Sequence, residues 1–258
     1  MVNISACPQS SMPNMKFFTP NKTHVIELYC SSKEYIEQVG HEVISGTDAG
    51  SVLTEIFGQE IRFVYAPDAD KFNRLLVEAN SRGYTKPIIN LYDPENIDFL
   101  LVRVNHGDSI LINGQGDVPN QLIAGYDAEI LADILKNDLG LKKFQLKNLD
   151  IDSCMMGRIA SYRDELKRRL KCFQTITTYI DLCTVSRTEN RLCRMWIEEK
   201  KDENYFYTES EFNKKGTRII EYTDTYKNLL KELWKPNQHI PEEIDLSDHI
   251  DILVPPSH

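Results

Sequence analysis

Apolar residues follow two alternating periodicities along the chain, one typical of strands and the other of helices. Short apolar runs predict strands at Val25–Leu28, Ile61–Tyr65 and Lys147–Asp152. Apolar residues spaced three and four apart predict helices at Glu34–Ile44 and Lys71–Asn80. Strands separated by helices of about ten residues indicate β-α-β units and therefore a mainly parallel sheet flanked by helices.

Two segments in the middle of the chain bear most on the function. The run Asp98–Val104 is almost continuously apolar, which is typical of a strand buried on both faces. The segment Asp127–Asn137 predicts an amphipathic helix that Asp127 caps. Its predicted inward-facing residues are Ile130, Leu131, Ile134 and Leu135.

The C-terminal third predicts a basic helix at Arg158–Lys171 and a strand at Phe173–Leu182. Leu192–Tyr207 then predicts a hairpin or flap, and a short strand at Arg218–Tyr222 precedes a helix that ends near Leu233. The fold class is α/β with a C-terminal antiparallel β-flap. We expect a flexible leader at 1–22, one domain at 23–235 and an acidic tail at 236–258.

Composition and charge exclude several classes of function. Of the 258 residues, 41% are hydrophobic, which suffices for a buried core, and no apolar run is long enough to span a membrane. A net charge of −9 argues against nucleic-acid binding, because phosphate neutralisation needs a positive face. The N-terminus lacks a Sec signal pattern and the six cysteines form no CxxC pair, so we expect reduced thiols, a cytoplasmic location and no metal.

Two of the predicted strands carry candidate catalytic residues near their ends. His106 and Gly107 follow the run at Asp98–Val104, and Cys154 follows the strand at Lys147–Asp152. One helix joins the two strands, so a right-handed crossover would make them parallel neighbours. Both residues would then lie at the carboxyl edge of the sheet, where open α/β sheets place their sites.

A thiol beside an imidazole is the chemistry of cysteine catalysis. The imidazole of His106 would accept the proton of the Cys154 thiol and so generate the thiolate nucleophile. The backbone amides of Gly107 and Cys154 are the candidate oxyanion hole for the tetrahedral intermediate. The same dyad serves any acyl transfer, so a deamidase or acyltransferase is an alternative to a peptidase.

This arrangement resembles the caspase-like cysteine peptidases, in which one apolar strand ends in His-Gly and a second ends at the nucleophilic cysteine. The resemblance rests here on Phe99–Gly107 and Leu149–Cys154. The chain is most similar to the autoprocessing cysteine protease domains of large clostridial and multifunctional RTX toxins. Those domains carry an Ala/Ser-Gly-Phe/Tyr turn between the two strands, which matches Ala124–Tyr126.

The resemblance implies a caspase-like fold and an endopeptidase that uses Cys154 and His106 on a protein or peptide substrate. It also suggests a bacterial effector that is secreted by a signal-less route and cleaves a host protein. The family's third polar residue is an aspartate, and Ser31 or Ser32 occupies that position here. This departure supports the alternative of a catalytically inactive binding or sensor module on the same fold.

The toxin domains are activated by inositol hexakisphosphate, which lysines and arginines bind. The resemblance therefore implies a polyphosphate cofactor for this chain. The candidate binding residues lie in and after the predicted flap, at Arg191, Arg194, Lys200, Lys201, Lys214 and Lys215.

Overall fold

The computed structural model describes residues 21–29, 42–188, 191–199, 204–208 and 218–233. Strands and helices alternate through most of the described chain. The strands are β1 (Thr23–Leu28), β2 (Arg62–Tyr65), β3 (Ile88–Asn90), β4 (Ser109–Asn113), β5 (Gly116–Asp117), β6 (Leu122–Ile123), β7 (Leu146–Asp152), β8 (Phe173–Tyr179), β9 (Leu182–Thr188), β10 (Arg191–Glu199), β11 (Asn204–Thr208) and β12 (Arg218–Tyr222). The helices are α1 (Glu42–Ile56), α2 (Ala69–Ser81), α3 (Ile97–Leu101), α4 (Ala128–Asp133), α5 (Ala160–Arg169) and α6 (Asp224–Leu233).

A seven-stranded sheet with the order β12-β8-β7-β4-β1-β2-β3 forms the centre of the fold. Every neighbouring pair in it is parallel except β12 and β8, which are antiparallel. Strands β9, β10 and β11 form a separate antiparallel sheet, which we call the flap. The predicted α/β class with a mainly parallel sheet is therefore confirmed, as is the hairpin predicted over Leu192–Tyr207.

The two faces of the sheet are covered differently, because side chains alternate along each strand. Ile26, Ile112 and Ile151 lie on one face, in the main core with apolar residues of α4 and α5. On the opposite face Val25 and Leu111 pack with Leu53 of α1 and contact Val185 of the flap. The flap thus lies on the face of the sheet that the main core leaves open.

The strand predicted at Asp98–Val104 is wrong, because residues 97–101 form helix α3. Leu100 is buried, whereas Phe99 is 45% and Val102 76% exposed, so one helical face alone reaches the core. An apolar run of this length fits either a strand or a helix. The start signal is upstream, where the Asp93 carboxylate accepts a hydrogen bond from the Glu95 amide and a 3₁₀ turn leads into α3.

Helix α4 confirms the predicted cap and corrects one inward-facing residue. The Asp127 carboxylate accepts a hydrogen bond from the Ile130 amide at 2.8 Å. Ile130 itself is 47% exposed, whereas the other three predicted core residues of this helix are buried. The helix continues as a wide, π-type turn over Ile134–Asp138, where the Tyr65 hydroxyl donates to Asp138 at 2.7 Å.

Parts of the predicted organisation lie outside the described residues. The leader is described only at residues 21 and 22, and the tail at 236–258 is not described. The helix predicted at Glu34–Ile44 overlaps α1, which begins at Glu42. In the described part of the chain, no helix has both the length and the apolar character needed to cross a bilayer.

A buried carboxylate joins the beginnings of β1 and β4 at the amino edge of the sheet. Asp108 accepts hydrogen bonds from the backbone amides of Lys22 and Asn105, each at 2.9 Å. His24 Nε2 lies 2.9 Å from the same carboxylate. Burial acts against the charged form, but these hydrogen bonds hold the pKa of Asp108 below its ordinary value near 3.8.

We expect Asp108→Asn to lower the free energy of unfolding by about 1–3 kcal/mol at pH 7. A lowered pKa in the folded state adds stability at pH values above the unfolded pKa, and this stability disappears as the pH falls through the folded value. The difference between wild type and variant should therefore shrink below pH 4 in a urea series. Asp133→Asn, which breaks an exposed pair with Lys136, is the control and should cost under about 1 kcal/mol.

Candidate active site

Cys154 lies at the carboxyl end of β7, as the sequence predicts. Met155 turns the chain directly after it, with a left-handed φ of 56°. The Met155 amide then donates to the Asp181 carbonyl at 3.0 Å. The residues that follow β7 are thus held beside the connection between β8 and β9.

His106 lies at the opposite end of the sheet, so the predicted Cys154–His106 pair is wrong. Because residues 97–101 are helical, His106 precedes its strand instead of following it. His106 Nδ1 accepts a hydrogen bond from the Gln145 amide at 2.9 Å, immediately before β7 begins. Residue 145 and the end of β7 at Asp152 are separated by roughly 23 Å of extended chain.

Gly107 is also at the amino edge, so the predicted oxyanion hole does not form. Its amide donates to the Gln145 carbonyl at 2.7 Å and is not available to a substrate near Cys154. Of the two predicted oxyanion donors, only Cys154 is at the carboxyl edge.

The loop that follows β4 beside Cys154 carries a glutamine and no histidine. Strand β4 pairs in parallel with β7, with Asn113 opposite Asp152, so Gly114, Gln115 and Gly116 leave the sheet next to Ser153 and Cys154. Gly116 lies directly on these two residues: a Cβ there would come within 2.5 Å of the Cys154 carbonyl oxygen and 3.3 Å of its amide nitrogen. The backbone of the β4 loop therefore covers the Cys154 amide.

The surroundings of the Cys154 thiol favour its protonated form. Burial raises the pKa of Cys154, and the nearby carboxylate charge of Asp152 raises it further. The Sγ atom donates a weak hydrogen bond to the Cys183 carbonyl oxygen at 3.6 Å. A protonated thiol in such an environment is a poor nucleophile at neutral pH.

Arg194, one of the predicted polyphosphate ligands, is buried in an ion-pair cluster, so its assignment as a surface ligand is wrong. Its guanidinium lies 2.9 Å from the Asp150 carboxylate and 3.3 Å from that of Asp152. It also donates to the Tyr179 hydroxyl at 2.9 Å and lies over the ring of Trp196 at 5.2 Å. Arg194 thereby attaches the flap to β7 of the central sheet.

The side chains of the other predicted polyphosphate ligands lie outside the described residues. Arg191 begins β10, and its side chain lies outside the described residues. Lys200, Lys201, Lys214 and Lys215 also lie outside them.

Two of the cavities that described residues line lie away from Cys154. The larger, about 720 Å³, is at the amino edge of the sheet, where His24, Phe57, Phe63 and Val102 are among its lining residues. The smaller, about 350 Å³, lies between α1, the end of α2 and the flap. Cys154 lines neither of them. The smaller one is cationic: it is lined by Arg82, Lys86 and Arg187 together with Glu55.

The site residues that the sequence analysis missed are Gln115, Asp152 and Cys183. The signal for Gln115 was available, since the apolar run Ser109–Asn113 ends at Gly114-Gln115-Gly116. No local signal marks the other two, because the flap brings them together from distant parts of the sequence. Within the described chain, no group of three His, Cys, Asp or Glu side chains is arranged to hold a metal ion.

Comparison of the chain with protein-family models, with curated proteins and with solved structures finds no match. The resemblance to caspase-like peptidases therefore depends on the motif residues themselves.

We expect Arg194→Ala to lower the free energy of unfolding by about 3–5 kcal/mol, because it leaves the buried Asp152 and the largely buried Asp150 without their counter-charge. In a Trp234→Phe background, the fluorescence of the fully buried Trp196 should shift to longer wavelength as the flap separates from the sheet. Arg168→Ala removes only an exposed pair with Glu165 and should change the stability by less than about 1 kcal/mol. An equal effect of the two substitutions would contradict this role of Arg194.

Proposed function

We propose that this protein is a catalytically silent binding module on a caspase-like α/β fold. The proposal rests on the environment of Cys154. Its thiol hydrogen-bonds to a backbone carbonyl. The end of the neighbouring strand supplies Gln115 in the position that the family motif gives to histidine. Both histidines of the described residues, His24 and His106, lie at the amino edge, so neither would accept the proton of the thiol.

Two features support the caspase-like part of this proposal. Strands β4 and β7 are parallel neighbours, and the cysteine follows the second of them, as the family pattern requires. The turn at Ala124-Gly125 has left-handed φ values of 48° and 80° and leads into α4, in agreement with the family's turn before a helix.

We expect an acyloxymethyl ketone probe to leave Cys154 of the wild-type protein unlabelled at pH 7. His106→Ala should not change this result, because His106 is at the other edge of the sheet. Mass spectrometry after digestion locates any label, and Cys154→Ala is the background control. Labelling of wild-type Cys154 that disappears in His106→Ala would restore the peptidase hypothesis and overturn the proposal.

A gain-of-function variant measures how much of the low reactivity of Cys154 is due to the glutamine that stands in place of a histidine. An imidazole beside Cys154 stabilises the thiolate and should increase alkylation by iodoacetamide at pH 7 about tenfold or more in Gln115→His. If labelling is unchanged, the backbone of Gly116 over Cys154 limits its reactivity more than the lack of an imidazole does. A product screen against peptides and glutamine side chains then separates a peptidase from a deamidase.

We also propose that the ligand of the module is a polyanion such as inositol hexakisphosphate, bound in the smaller cavity. Arg82 and Lys86 line it from the connection between α2 and β3, and Arg187 lines it from the flap. Glu55 is the carboxylate in the cavity wall, and Glu78 pairs with Arg82 at 2.7 Å. Arg187 pairs with Glu55 at 3.1 Å and the Lys86 ammonium donates to the Gln59 carbonyl at 2.7 Å, so both cations are held at the cavity wall. Multiple phosphates match such a set of cations through charge-assisted hydrogen bonds.

A ligand that binds only the folded state raises the midpoint of thermal unfolding. We expect inositol hexakisphosphate to raise it, with the shift reduced in Arg82→Gln, Lys86→Gln and Arg187→Gln. Lys142→Gln, an exposed cation that bonds to Asn137, should leave the shift unchanged. An unchanged wild-type midpoint would exclude this ligand while leaving the proposal on catalysis intact.

A further inference from the structure

Two free thiols lie close together where the flap meets the carboxyl edge of the central sheet. Cys154 follows β7 and Cys183 is the second residue of β9. The backbones of the two segments are in direct contact, because the Met155 amide bonds to the Asp181 carbonyl at 3.0 Å and Cys154 Sγ lies 3.6 Å from the Cys183 carbonyl oxygen. Both residues are partly exposed as a whole, although burial raises the pKa of each thiol.

The side chain of Cys183 points toward the sheet. Residues two apart on a strand share a face, and Val185 packs against the cluster that Val25 and Leu111 of the sheet form with Leu53 of α1. Cys183 contacts the buried rings of Tyr179 and Trp196 on that same side. The Cys183 thiol also interacts with the carboxylate of Asp152, which is two residues before Cys154.

We propose that Cys154 and Cys183 form a reversible disulfide that fastens the flap to the end of β7. The co-reactant is a small disulfide such as oxidised glutathione. The Cys154 thiolate attacks one glutathione sulfur and releases the first reduced glutathione, which takes up a proton. The Cys183 thiol then loses its proton and attacks the Cys154 sulfur of the mixed disulfide, releasing the second. Two protein thiols are oxidised, and one glutathione disulfide is reduced to two thiols.

This bond would change how the flap is held. In the reduced protein, the buried ion pairs of Arg194 attach β10 to β7. The disulfide adds a covalent link from β9 to the same strand, so separation of the flap would require reduction as well as rupture of the ion pairs. The inference depends only on the placement of the two thiols and holds whether or not the module is silent.

Burial raises the pKa of Cys154 and raises that of Cys183 still further, so the thiolate is a minor species at neutral pH. Because the thiolate is the reacting form, formation of the bond should accelerate with pH between 7 and 9, by up to about tenfold for each pH unit. Reduced dithiothreitol should reverse it.

The test treats the folded full-length protein with oxidised glutathione, alkylates the remaining thiols and maps the peptides without reduction. We expect a cross-linked Cys154–Cys183 peptide and a higher midpoint of thermal unfolding, which returns to the starting value after reduction. Both effects should disappear in Cys183→Ser and persist in Cys193→Ser and Cys172→Ser. Cys193 is the matched control, because it is also a partly accessible free thiol in the flap.

Three outcomes would overturn the proposal. These are separate alkylation of both cysteines after oxidation at pH 8–9, a cross-link that joins Cys154 to Cys193 instead, and glutathione that stays on Cys154 as a mixed disulfide. Cys183→Ala provides a second variant if the serine substitution destabilises the flap. None of these outcomes depends on probe labelling, so failure here is distinguishable from failure of the proposed function.

Discussion

The register between β4 and β7 is the constraint on which the chemistry of this protein depends. With Asn113 opposite Asp152, the loop that begins at Gly114 meets Cys154, and whatever precedes β4 is at the far edge of the sheet. The register thus determines which side chains lie near Cys154. It brings the loop with Gln115 to this edge of the sheet and leaves His106 at the other edge.

The second determinant is a cation placed between two carboxylates under the flap. Removal of a charge from water is costly unless the protein supplies the opposite charge and hydrogen bonds. Asp150 and Asp152 do this for Arg194, and the rings of Tyr179 and Trp196 enclose the group. The same arrangement places carboxylate charge next to Cys154 and so disfavours the thiolate. Asp152 therefore helps to attach the flap and also adds to the effect of burial, which is the main cause of the raised pKa of Cys154.

Much of the architecture and the position of Cys154 could be predicted from periodicity, whereas the groups that surround the cysteine could not. Strands β2 and β7, helix α2 and the flap hairpin follow patterns that are local in sequence, and the cap at Asp127 is a local hydrogen bond. The strand prediction at Asp98–Val104 was wrong because its apolar run suits either a strand or a helix. The capping signal at Asp93 decides in favour of the helix. In the sequence, Arg194 is one of several cations in and after the predicted flap, and it was interpreted as a ligand for a polyphosphate. Its burial arises from contacts between β7 and β10 that no short segment encodes.

The wide turn at Ile134–Asp138 has a consequence for the alignment of related sequences. A π-type turn accommodates one residue more than an α-helical turn and rotates everything after it by about 100° around the helix axis. With this additional residue in place, Leu139 is fully buried and Asp138 accepts the hydrogen bond of the Tyr65 hydroxyl. A homologue shorter by one residue here would keep a regular helix but direct other side chains inward. Gaps in this stretch would then mark an altered core, rather than a tolerated loop difference.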